Sequence, residues 1–208
     1  MPKSLAFHSP HQQNPTRTKS RFGKAELRRC IKPKMFIPIS KWYNSFMPVS
    51  KPIVFVDFDG VLHPASCTES SHAMHANALA KVLVNADARV VVSSTWRLRR
   101  NLAALRMAVG PALGSLIVGK TPIYTELDLK LLPDRLHAFQ RHTECVAWMR
   151  KHHETPDAWL ALDDRSYIFY PFCPNLIKCD ERTGLDVQTL NLLTERLATM
   201  AASPSYSM

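Results

Sequence analysis

Residues 51–201 predict a doubly wound, Rossmann-like α/β domain built on a parallel sheet. Three observations carry this expectation. Short, nearly continuous apolar runs recur along the chain, as strands buried on both faces require. Segments with helical spacing alternate with them. Polar residues gather where each apolar run stops, and in a parallel sheet those stops share one edge, where open α/β folds bind ligands.

Residues 52–57 (Pro-Ile-Val-Phe-Val-Asp) form the first expected strand, and residues 78–86 a helix. The β-branched run 88–94 is the second strand. A helix with Leu98, Leu102, Leu105 and Val109 on one face follows, and Gly110-Pro111 is expected to stop it. Residues 116–118 read as a third strand, closed by Gly119-Lys120-Thr121-Pro122. Residues 122–140 read as irregular, with a turn of helix within 127–132. Residues 144–153 predict a helix with Cys145, Trp148, Met149 and His152 inward. Residues 158–162 are a fourth strand ending in Asp163-Asp164, and 175–179 a fifth. Asp186 is expected to cap a last helix carrying Leu190, Leu193, Leu197 and Met200. Residues 202–208 are left as a short tail.

Residues 1–50 differ in kind. They hold ten of the 27 Lys and Arg but one of the 17 acidic residues, and six of the 15 prolines. No apolar period persists in them, so they read as a basic, Pro-rich, disordered tail. The net charge of +10 therefore describes this tail, while the body is nearly neutral. A basic arm that attracts a polyanion is the sharper alternative. No apolar run is long enough to span a membrane. The five cysteines form no CxxC pair, which speaks against a disulfide scaffold and for a reducing, cytoplasmic setting. The oligomeric state is not legible.

The strand ends carry the chemistry. The first ends in Asp57-Phe58-Asp59-Gly60, the second in Ser93-Ser94-Thr95, the third in Gly119-Lys120-Thr121 and the fourth in Asp163-Asp164. Clustered carboxylates need a counter-charge. Hard oxygen donors without His or Cys suit Mg²⁺, which shares its coordination with substrate phosphate. Hydroxyls and a cation would hold the phosphate oxygens, and an Asp would be the nucleophile. A calcium loop beginning at Asp57 fails, because Val61 and Thr68 stand where that loop needs oxygen ligands. A receiver-type phosphoacceptor has these motifs in the opposite order.

Residues 54–62 (Val-Phe-Val-Asp-Phe-Asp-Gly-Val-Leu) resemble the first motif of the haloacid dehalogenase (HAD) superfamily. Together with Ser93-Ser-Thr-Trp-Arg97, Gly119-Lys-Thr-Pro122 and Trp159-Leu-Ala-Leu-Asp-Asp164, the chain resembles the HAD domain of Swiss-army-knife RNA-repair proteins over residues 52–200. The resemblance implies a Mg²⁺-dependent phosphohydrolase acting through an aspartyl-phosphate, with polynucleotide ends in RNA repair as a substrate class. It implies Asp57 as nucleophile, Asp59 as general acid/base, Ser94 (with Ser93 as neighbour) as the second-motif hydroxyl, and Asp57, Asp59 and Asp164 as metal ligands. Asp163 would orient the third-motif cation, for which Arg141 leads and Lys120 competes. Ser93, Ser94, Thr95, Arg97 and Lys120 are the expected substrate contacts. The inserts after the first and third strands are too short for an independent domain, so no substantial cap is expected. The alternatives are a catalytically inactive HAD-like domain binding a phosphorylated or nucleic-acid partner, and a small-metabolite phosphatase. Trp96, Trp148 and Trp159 read as core; His63 either lines the site or packs beyond the turn.

Overall fold

The computed structural model describes residues 51–202. The tail expected at 1–50 lies outside the described residues, as does 203–208. The last helix is described to Ala202.

Five parallel strands form one sheet in the order β3-β2-β1-β4-β5: β1 Ile53–Val56, β2 Arg89–Val92, β3 Ile117–Lys120, β4 Trp159–Asp163 and β5 Leu176–Lys178. The expected parallel α/β sheet is therefore present, with β1 at its centre. Alternate side chains of the inner strands enter two cores. Val54, Val56, Val90, Val92, Leu160 and Leu162 pack with α1 (Ala76–Asn85), α2 (Leu102–Ala108), α3 (Gly110–Gly114) and α5 (Val187–Ala202), through Leu79, Leu83, Leu105, Leu113, Leu193 and Leu197. On the opposite face Ile53, Phe55, Val91, Trp159 and Ala161 meet Cys145, Trp148 and Met149 of α4 (Gln140–Lys151). Phe55 is fully buried, edge-on to both Trp148 and Trp159.

The chain runs outward from β1 through β2 to β3, then returns to the other side of β1 for β4 and β5. That reversal creates the crevice between β1 and β4 where such folds hold ligands. Register levels its walls. Val56 pairs with both Val92 and Leu162. Beyond the strands, Asp57 donates its N–H to Leu162 O and Ser93 its N–H to Val56 O, each at 3.0 Å.

Three expectations need correction. The single helix through Leu98 is instead a 3-10 turn at Thr95–Leu98, followed by α2, whose N-cap Asn101 accepts the Ala104 N–H. Leu98 is exposed. The expected stop at Gly110-Pro111 is present: α2 ends at Ala108, and Gly110 turns the chain at φ +80° into the short helix α3. Second, α4 begins at Gln140 rather than 144. Third, His152 lies past its end, exposed and stacked on Trp148. Residues 122–139 hold only 3-10 turns (Tyr124–Glu126, Leu129–Leu131 and Asp134–Leu136), and the described residues fall within one compact unit. Among the described residues no helix is long and apolar enough to cross a membrane.

His142 illustrates a cost of this packing. Its ring lies against Trp159 and Phe169, and Nδ1 accepts the Tyr170 N–H at 3.3 Å. Burial, then the nearby Arg135, pulls its pKa down to about 4. The unfolded chain takes up this proton below about pH 6.5, whereas the folded chain resists it down to about pH 4. Its contribution is thus intact above the unfolded value and is lost as pH falls through that window. Melting temperature measured from pH 7 to pH 4 is expected to fall more steeply for the wild type than for His142→Gln.

Candidate active site

Asp57 follows β1 directly and Asp163 ends β4, so strand pairing alone sets their carboxylates side by side, both almost fully buried. Asp57 Oδ1 accepts the Phe58 N–H at 2.8 Å. Its Oδ2 receives Arg165 Nη2 at 2.7 Å and lies 3.4 Å from Arg141 Nη1. Asp163 Oδ2 accepts from Arg141 Nη1 at 3.0 Å, and Oδ1 accepts the Arg165 backbone N–H at 3.0 Å. Burial and then the neighbouring Asp57 push Asp163 up to about 7, against the pull of Arg141. Asp164 is also raised, chiefly by burial.

Asp164 packs directly on Gly60. A Cβ on Gly60 would stand 2.6 Å from the Asp164 carboxyl carbon, and φ there is +72°, so the turn after β1 requires glycine on both counts. Asp164 Oδ1 is buried without a hydrogen-bond partner. One oxygen each from Asp57, Asp163 and Asp164 lies within 4.8 Å of the others. Three converging carboxylates, one with an unsatisfied buried oxygen and none with a His or Cys neighbour in the set, fit a hard divalent cation such as Mg²⁺.

The expected metal ligand Asp59 is not in this trio; Asp163 stands in its place. The Asp59 carboxylate instead takes hydrogen bonds from Trp96 Nε1 at 3.0 Å and 3.2 Å, and lies 3.1 Å from His63 Nε2. Trp96, read from sequence as core, is only half-buried, with its indole N–H on Asp59. Of the two competing cations, Arg141 reaches the carboxylates. Lys120 donates to Arg97 O at 2.9 Å and Arg100 O at 3.3 Å, bracing the turn after β2.

Arg97 is 3% exposed, ion-paired at 2.6 Å with Glu144, and donates to the carbonyls of Ser93, Ser94, Thr121 and Pro122. Its guanidinium ties the turn after β2 to the segment after β3 and to α4. Ser93 and Ser94 are buried at the end of β2, and Ser94 Oγ accepts the Trp96 N–H at 3.3 Å. Thr95 is exposed and joins Asp59, Trp96, Leu98, Arg99 and Arg100 around a cavity of about 430 Å³. Arg165 was missed by sequence reasoning. A cation immediately after Asp163-Asp164, at the ligand edge of the sheet, was the available signal.

A family model described as the HAD domain in Swiss Army Knife RNA repair proteins matches residues 53–190. No curated protein matches the chain.

The carboxylate trio predicts a metal response independent of turnover. Mg²⁺ at about ten times its dissociation constant stabilises the folded state by about 1.4 kcal/mol, which raises the melting temperature by a few degrees in a domain this size. Calorimetry is expected to show that rise in the wild type and its loss in Asp164→Asn.

Proposed function

The chain belongs to the family of HAD domains found in Swiss Army Knife RNA repair proteins, and from that premise we propose that it is a Mg²⁺-dependent phosphohydrolase working through an aspartyl-phosphate. The observation that carries the reading is the placement of Asp57. It is a buried carboxylate at the switch point of the sheet, with two guanidinium groups on Oδ2 and two further carboxylates beside it. Asp57, Asp163 and Asp164 would hold the cation, which when bound offsets the negative charge of carboxylates and phosphate.

In the first step an Asp57 oxygen forms a bond to phosphorus while the bond to the leaving oxygen breaks, and Asp59 gives that oxygen a proton. In the second, water attacks the same phosphorus, Asp59 takes its proton, and the Asp57–phosphate bond breaks to release inorganic phosphate. Arg141, held by Asp163, supplies positive charge beside the transferring group. The Ser94 hydroxyl, already an acceptor for Trp96, keeps its own proton to donate to a phosphate oxygen. Arg165 must leave Asp57 for attack to occur. A third of its side chain is exposed, so it can swing outward, where it is placed to follow the phosphate. A non-catalytic domain that binds a phosphorylated partner is the rival reading, favoured only by Arg165 covering the nucleophile.

Polynucleotide ends are the proposed substrate class. Among the described residues the crevice has no inserted domain over it, and the cavity beside Asp59 offers Arg99, Arg100 and the indole of Trp96 to a chain next to the phosphate. The four described cysteines are free, which supports a reducing, cytoplasmic setting.

Asp57→Asn is expected to keep its melting temperature within a few degrees and to lower Mg²⁺-dependent phosphate release by several orders of magnitude. A folded variant with wild-type turnover overturns the mechanism, and a wild type inactive across a substrate panel favours the rival. For substrate class, a 3′- or 5′-phosphorylated oligonucleotide is expected to be hydrolysed with higher kcat/KM than a mononucleotide, with an advantage that shrinks as salt rises. Equal efficiency, or a preference for sugar phosphates, reassigns the protein as a metabolite phosphatase.

A further inference from the structure

His63 sits in the loop after β1 yet is 2% exposed, and both its ring nitrogens are engaged. The Ala73 N–H donates to Nδ1 at 3.1 Å. Nδ1 is therefore the unprotonated nitrogen, and the hydrogen of the neutral ring is on Nε2. Nε2 lies 3.1 Å from Asp59 Oδ1 and so donates to it. The Trp96 indole N–H is the second donor, 3.0 Å from Oδ2 and 3.2 Å from Oδ1.

The pair is braced on several sides. Asp59 and His63 are joined by a backbone bridge. The His72 ring stands 4.8 Å from that of His63 and 5.2 Å from that of Trp96, and the Arg100 guanidinium lies 4.2 Å over the indole. Ala73 presents its N–H to His63 from a left-handed conformation, φ 57°, which a residue with a Cβ adopts only at a cost. Ligand atoms of His63, Cys67 and His72 also come within 4.8 Å of one another. With both nitrogens of His63 committed, that trio is not a metal site.

We propose that His63 and Trp96 are positioning residues that clamp the Asp59 carboxylate and aim it at the leaving-group oxygen at the mouth of the neighbouring cavity. This rests on the reading of Asp59 as general acid/base. Oδ1 faces both His63 and Trp96, whereas Oδ2 accepts from Trp96 alone, so Oδ2 is the less occupied oxygen and the one to carry the transferred proton.

The test compares kcat/KM for an alkyl phosphate, whose leaving oxygen needs a proton, with that for p-nitrophenyl phosphate, whose leaving group departs without one. Because kcat/KM ends at leaving-group departure, it reports Asp59 only as acid. His63→Phe and Trp96→Phe each remove one N–H from the clamp. In both, kcat/KM for the alkyl phosphate is expected to fall about tenfold further than for the aryl phosphate, a fraction of what acid catalysis supplies. His63→Gln, which keeps an N–H donor, is expected to recover part of the difference. Equal losses on the two substrates overturn the clamp and leave both residues structural. Should His63→Phe fail to fold, Trp96→Phe, which keeps an aromatic ring in place, decides by the same ratio. A wild type inactive on both esters overturns the proposed function, and this inference with it, before any variant is compared.

Discussion

The buried guanidinium of Arg141 is the constraint around which the rest of the molecule is arranged. It lies among Asp57, Asp163 and Glu144, all four groups almost wholly removed from water. Any one of these charges alone in that environment would cost several kcal/mol. Together they form a row of alternating sign that starts at Arg97, passes through Glu144, Arg141 and the two aspartates, and ends at Arg165 near the surface. The row crosses from the end of β2 through the first turns of α4 to the end of β4. It can exist only if the sheet order brings those three strand ends level, so the reversal of winding at β1 is as much an electrostatic requirement as a packing one.

The row also separates two kinds of arginine that look alike in a sequence. Arg97 spends every donor on carbonyls and Glu144, and holds the loop after β2 rigid with help from Lys120. Arg165 faces the crevice with part of its side chain in solvent. The first is architecture, and the second keeps a third of its side chain exposed at the edge of the carboxylate cluster. Much of the Ser93–Arg97 segment serves to hold itself still, which lets Trp96 project its N–H from a fixed base onto Asp59.

All five strands and the carboxylate that follows the first of them were legible because they rest on one simple signal. Strands buried on both faces must be apolar, and a carboxylate that ends such a run at the ligand edge is conspicuous. Chain order sufficed to favour Arg141 over Lys120. The start of α4 was hidden, because Gln140, Arg141, His142 and Thr143 carry no apolar period: Arg141 and Thr143 are buried by virtue of polar partners that hydropathy cannot register. The same blindness hid the distant partners of Arg97, which lie just after β3 and in α4, and the contact of the Trp96 indole N–H with Asp59. Leu98 misled in the opposite direction, an apolar residue at helical spacing that the 3-10 turn leaves in water. Arg165 was overlooked because a single loop cation has no pattern of its own.

The contact of Asp164 with Gly60 joins two points of the chain separated by more than half of the described domain. β1 is among the first parts made, but its partner β4 comes after two crossovers and α4. A nascent chain therefore carries Asp57 and Asp59 well before Asp163 and Asp164 exist to join them. Pairing at that separation also carries the largest loop-closure cost in the sheet, so β4 is positioned to dock late. The carboxylate trio then forms in one event, when β4 docks beside β1.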